Sequence, residues 1–111
     1  MSILDRAKAH YDAMGSHRIE VPEWKDENGD PTVLYSEPMT LDERRKLDKF
    51  SSDTQEYLAR LVITKALDEQ GNKVFKIEDK PILMKRVSDV VIARIAGEIA
   101  RVSTVEDQLG N

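Results

Sequence analysis

The chain of 111 residues contains no cysteine. That excludes disulfide staples, Cys-ligated zinc and thiol catalysis. Histidine is nearly as scarce: His10 and His17 are seven residues apart across a helix break. They could hold a metal only with help from Asp12 or Glu20, and two separate surface histidines is the simpler reading. No GxSxG, HExxH, GxxxxGK[ST] or GxGxxG motif occurs, so no nucleophile, zinc pair or phosphate cradle is announced. No excess of positive charge exists either. Formal net charge is −4 and 34% of residues are charged, which argues against general affinity for nucleic acid or anionic membrane. No apolar run approaches a membrane span. The start "MSILDRAKAH" has no apolar core of signal-peptide length. Repeats, low-complexity segments and linkers are also missing. A soluble intracellular protein without a cofactor, and not an enzyme, is expected.

What is present is enough chain for one modest domain with its own core. Residues 2–14 predict a short amphipathic helix capped by Ser2, with Leu4, Ala7, Tyr11 and Met14 on one stripe. At about twelve residues it is marginal alone and needs a surface to dock on. The period then changes. Ile19 and Val21 alternate with polar residues, as do Val33 and Tyr35. Asn28-Gly29 lies between the two runs and is a strong hairpin signal. Pro22 marks an edge or the strand's end.

From residue 40 the pattern is helical. "TLDE" predicts a capping box of Thr40 and Glu43, opening a helix to about Phe50 with Leu41, Leu47 and Phe50 as its apolar contacts. The next helix, about 53–68, is nearly apolar all round, with Glu56, Arg60 and Thr64 as a narrow polar line, so it belongs in the core. Gly71 fits a left-handed cap behind it. "VFKI" reads as a short extended link, and Pro81 sits in the first turn of another helix. Ser88 caps the last long helix, with Val91, Ile95, Ile99 and Val102 as its inner stripe. Val90, Ala93, Ala96 and Ala100 widen its apolar zone. The expected fold is mainly α with a small β-hairpin (α+β). About five helices form a single compact domain over residues 1–103, with the hairpin at about 17–37 between the first and second. A flexible polar tail follows at 104–111.

Two local patterns invite chemistry. In "WKDENGDPTVLYSEP" Asp26, Asn28, Asp30, Thr32 and Glu37 follow the rhythm of an EF-hand loop. The sixth loop position needs glycine and here is Pro31, and the flanks are strand patterns rather than helices. A solvated acidic turn is the better reading. A small metal-binding protein or enzyme using the acidic hairpin is the alternative. The basic run "ERRK" at 43–46 is surrounded by Asp42, Asp48 and Lys49, so it reads as a solvated helix face with pairs such as Asp42–Lys46. A DNA-binding regulator is the weakest reading, since no basic recognition helix is present. Surplus apolar surface on the first and last helices remains. Either the two pack together or they meet a protein partner. Trp24 and Tyr35, beside a possible open hairpin edge, suit such an interface.

The segments "SILDRAKAHYDA", "IEVPEW", "VLYSEPMTLDERRKL" and "ITKALDEQGNKVFKIEDKPILMKRVSDVVIARIAGEI" resemble, in order and phrasing, the small tail assembly chaperones of long-tailed bacteriophages and prophages. The resemblance spans roughly residues 2–102. It rests on packing and turn phrases such as "PMTL", "KALDE-x-G" and "EDKP-x-LM-x-RV", not on a catalytic signature. It implies a protein of the host bacterial cytoplasm that coats the tape measure protein, helps recruit tail tube subunits, self-associates and is not expected in the mature virion. Many such proteins also have a longer frameshifted form. The partner-binding residues expected on this basis are Leu4, Tyr11, Trp24, Tyr35, Val90 and Ile99.

Overall fold

The computed structural model describes residues 2–50 and 52–109, with side chains through Arg101. Helix α1 (Ile3–Met14) starts in a capping box: the Asp5 amide donates to the Ser2 hydroxyl at 3.1 Å, and the Asp5 carboxylate accepts from the Ser2 amide at 3.4 Å. Gly15, at φ +68°, ends it. Strands β1 (His17–Lys25) and β2 (Pro31–Ser36) follow as an antiparallel hairpin. Helices α2 (Leu41–Asp48), α3 (Thr54–Lys65), α4 (Lys80–Lys85) and α5 (Asp89–Leu109) complete the fold, with a 3-10 turn (Ile77–Asp79) leading into α4. The chain is therefore α+β, with five α-helices among the described residues and the hairpin between the first two.

The core lies where α3 and α5 pack together and where β1 lies across α5. Val21, Val62 and Ile95 are fully enclosed there, with Leu34 and Ala96 almost so. Helix α5 presents Val91, Ile92, Ile95, Ala96 and Ile99 inward, at the three-and-four spacing of one helix face. Val102, the fourth member of the expected stripe, lies outside the described side chains, as do all those of the 104–111 tail, whose backbone is helical as far as Leu109.

Four local expectations are corrected. In β2 the phase is shifted by one residue: Ile19 pairs with Leu34, so Leu34 shares its core face, while Val33 and Tyr35 are half-buried on the other face. In α2 only Leu47 is buried, and Leu41 is 90% exposed at the first helical position. Helix α3 stops at Lys65, not near 68, because Leu67 is claimed by β2. Its amide and carbonyl exchange hydrogen bonds with those of Tyr35, both at 2.8 Å. Gly71 consequently sits in a turn rather than in a helix cap. For Pro22, of the two readings the edge holds and the strand's end does not: β1 is an edge of the two-stranded sheet and runs on to Lys25 through a bulge.

Candidate interaction surface

The bulge is the first device that aims side chains. Val21 pairs with Thr32 and Lys25 with Pro31, so Pro22, Glu23 and Trp24 have no partners of their own on β2. Extra residues in one strand bend it and redirect what it carries. Glu23 meets Arg94 of α5 in a two-pronged ion pair at 2.5 and 2.6 Å. Hydrogen bonding from that guanidinium holds the Glu23 carboxyl down to about 2. Trp24 turns toward Phe75, edge to face, with ring centroids 6.4 Å apart. The two rings, with Val74, Ile82, Leu83 and Val87, line an open groove of about 380 Å³. Its one acidic wall residue, Asp79, is occupied locally: the carboxylate accepts the Lys76 amide at 2.9 Å.

Helix α1 is the second feature. None of its residues is buried, and Ile3 and Leu4 are 81% and 68% exposed. The apolar stripe read from the sequence is thus real as a pattern but is not consumed by packing on α5. The helix is tied to the body through Tyr11, whose hydroxyl donates to the Pro38 carbonyl at 2.8 Å. Burial, followed by the Glu37, Glu43 and Asp12 carboxylates, raises the Tyr11 pKa, keeping the phenol a donor. Tyr11 and Met14 also border a second groove of about 310 Å³ with Met39 and the exposed Leu41.

Pro38 connects this attachment to the interior. Its carbonyl also accepts from Lys65 Nζ at 3.2 Å, and the same ammonium contacts Glu43 Oε1 at 2.8 Å. The Lys65 side chain is only 4% exposed. Burial by itself would push the Glu43 carboxyl up, but hydrogen bonds from Lys65 and Thr40 bring it below its ordinary value. Sequence reading saw the Glu43 cap and missed this pair. A signal existed: Lys65 lies three and four residues after Val62 and Leu61, on the buried face.

The acidic turn is organised around its own backbone. Asp26 Oδ1 accepts the Asn28 and Asp30 amides at 2.8 and 3.0 Å, while Gly29 takes φ +82°. The turn at 68–72 repeats the design. Asp68 Oδ1 accepts the Gln70 and Asn72 amides, both at 2.9 Å, with Gly71 at φ +87°. Both are Asp-anchored turns that suit a glycine in the left-handed region. Among the described residues no group of three or more His, Asp or Glu lies where it could hold a metal ion. The two histidines are apart in role: His10 is exposed on α1, and His17 Nε2 meets Glu98 Oε2 of α5 at 3.1 Å. In α2, Asp42 pairs with both Arg45 (2.7 Å) and Lys46 (3.1 Å), leaving a mixed, solvated face.

The six expected partner-binding residues are spread over these features. Leu4 and Tyr11 share the α1 stripe, the first exposed and the second half-buried. Trp24 walls the larger groove. Tyr35 is half-buried, and its backbone is paired with Leu67, so the β2 edge is closed at that point. Val90 is 71% exposed at the start of α5. Ile99 is corrected: at 3% exposure it is a core residue with no free face. Phe75, Val74 and Ile82 were missed, because "VFKI" reads as a link until its partner Trp24 is placed. No helix among the described residues is long and apolar enough to cross a membrane. Comparison of the chain with protein-family models, curated proteins and solved structures finds no match.

Proposed function

We propose that this chain is a non-enzymatic phage tail assembly chaperone of the host cytoplasm, which coats the tape measure protein and helps recruit tail tube subunits. The observation that supports this reading most is α1, an amphipathic helix with an apolar stripe and no buried residue. A stripe left open is what an apolar-striped helical client needs. A second support is the aromatic groove at Trp24 and Phe75, since such clusters concentrate binding energy. Many copies covering a long client through weak contacts keep it soluble, and self-association along the client adds avidity. Tube subunits then displace the chaperone by competing for the same stripe. The acidic hairpin earns no second reading, because Asp26 already spends one carboxylate oxygen on two of its own loop amides.

The test is co-expression with tail tube and tape measure genes, followed by affinity purification. The tape measure protein is expected to be soluble and to co-purify only when this chain is present. A tape measure protein that stays insoluble, with nothing co-purifying, overturns the proposal.

A further inference from the structure

The larger groove carries a charge pattern that its apolar walls alone would not suggest. Residues 73–87 hold five cations and two acids in a protein of net charge −4. Two of those cations are engaged: Lys80 with Glu56 at 2.5 Å, and Lys73 with the Thr64 carbonyl at 3.1 Å. Lys76, Lys85 and Arg86 are exposed, and their side chains have no ion-pair partner among the described residues. Lys76 follows the groove residue Phe75. Arg86 closes the last turn of α4, its amide donating to the Ile82 carbonyl at 2.7 Å, and it stands three and four residues beyond Leu83 and Ile82. Lys85 stands beside it. The groove therefore has an aromatic and aliphatic floor with Asp79 in its wall, and the segment that supplies most of its lining also carries three exposed cations without an ion-pair partner among the described residues.

We propose that this groove seats an amphipathic helix whose apolar stripe is flanked by carboxylates. The floor takes the stripe by helix-in-groove packing, and the three cations meet the flanking acids. The proposal deepens the chaperone reading by naming the seat and the charge class of the client helix, and it rests on that reading only for the client's identity. An anionic bilayer shares the negative charge, but a concave seat walled by an edge-to-face Trp24–Phe75 pair matches one rod-like occupant better than a flat lipid surface.

Trp24 is the single tryptophan, so its fluorescence reports the groove directly. The probes are two Trp-free helical peptides of about 20 residues, long enough to fold alone. Both carry the same leucine stripe, flanked in one by glutamates and in the other by lysines. The acidic peptide is expected to shift the Trp24 emission saturably and to bind about tenfold more tightly than the basic one at low salt, as three such contacts allow. The preference is expected to reverse in the exposed-site variant Lys76→Glu/Lys85→Glu/Arg86→Glu. No saturable shift, equal binding of the two peptides, or an unchanged preference in the variant overturns the proposal. So does a shift with vesicles of anionic phospholipid but none with the acidic peptide, which assigns the face to membrane. If co-expression solubilises the tape measure protein while the acidic peptide fails to bind, the groove assignment alone falls. If the peptide binds while co-expression fails, the groove stands without the chaperone reading.

Discussion

Tyr11 and Lys65 share one acceptor. The carbonyl of Pro38 takes the Tyr11 hydroxyl at 2.8 Å and the Lys65 ammonium at 3.2 Å. An exposed helix and a buried cation are thereby joined at a single backbone atom. The carbonyl has two lone pairs and fills both. Glu43 completes the arrangement by neutralising Lys65, so α1, the segment before α2, α2 itself and α3 are held through one polar cluster.

Removing the cation from that cluster leaves the Glu43 carboxylate half-buried without its partner. Lys65→Ala is expected to cost about 1–3 kcal/mol, between an unsatisfied hydrogen bond and a broken buried ion pair. Amide exchange in α1 should rise in the same variant. Urea unfolding and hydrogen exchange measure both. The double variant Lys65→Met/Glu43→Leu should recover part of the loss, because no charge is then stranded. Equal losses in the two variants would count against the polar account.

The Glu23–Arg94 pair makes acid stability readable. The folded carboxyl sits at about 2 against an ordinary 4.5. A lowered folded value means that the unfolded chain binds the proton more readily. The pair's contribution is thus fully present above pH 4.5 and is lost as pH falls toward 2. Glu43, also lowered, acts with the same sign. Thermal melts across that window should show a steeper decline for the wild type than for Glu23→Gln. Added salt should shrink the difference, since the pair is solvent-exposed. Parallel profiles would remove the pair from the account.

The two Asp-anchored turns predict a matched pair of substitutions. A Cβ at Gly29 or Gly71 meets nothing within 4 Å, so crowding contributes nothing. Both residues lie at positive φ, so Gly29→Ala and Gly71→Ala should each destabilise by about 1–2 kcal/mol through backbone strain alone. Asparagine should cost less at either site, because it tolerates the left-handed region. Chemical denaturation of the four variants tests the ordering.

Position on the surface or in the core separates two of the expected binding residues. Leu4→Asp changes an exposed residue of α1 and should leave stability within about 0.5 kcal/mol of wild type. Under the proposed function it should still weaken retention of the tape measure protein. Ile99→Asp places a carboxylate in the core and should unfold the domain. A circular dichroism melt paired with the co-expression assay reads both. A Leu4→Asp protein that folds and still retains its client at wild-type level would remove α1 from the interface.

Much of the fold was legible because its signals are local. The Thr40–Glu43 capping box is read from four consecutive residues, and both of its hydrogen bonds are present at 3.1 and 3.2 Å. Asn28-Gly29 marks a turn that Asp26 then closes. The α5 stripe Val91, Ile95 and Ile99 follows from helical period. The candidate surface was legible only in part. The open stripe of α1 is a sequence pattern. The groove is not, because Trp24 needs a three-residue bulge to reach Phe75, and nothing in "VPEWK" or "VFKI" announces the other. In β2, apolar residues at 33, 34 and 35 leave the phase ambiguous until the pairing of Ile19 with Leu34 decides it.

Taken alone, the amino-acid order determined the helices, the N-terminal caps at Ser2 and Thr40, the hairpin and the absence of cysteine chemistry, since each depends on groups within about one helical turn or one tight turn. Tertiary structure decided where α3 stops, because Leu67 gains two hydrogen bonds from Tyr35 that a further helical turn would forfeit. It decided that Ile99 is core and Leu4 is surface, although both lie on apolar stripes. It also decided that Lys65 is buried, because Glu43 and Pro38 converge on its ammonium from segments that only the folded chain brings together.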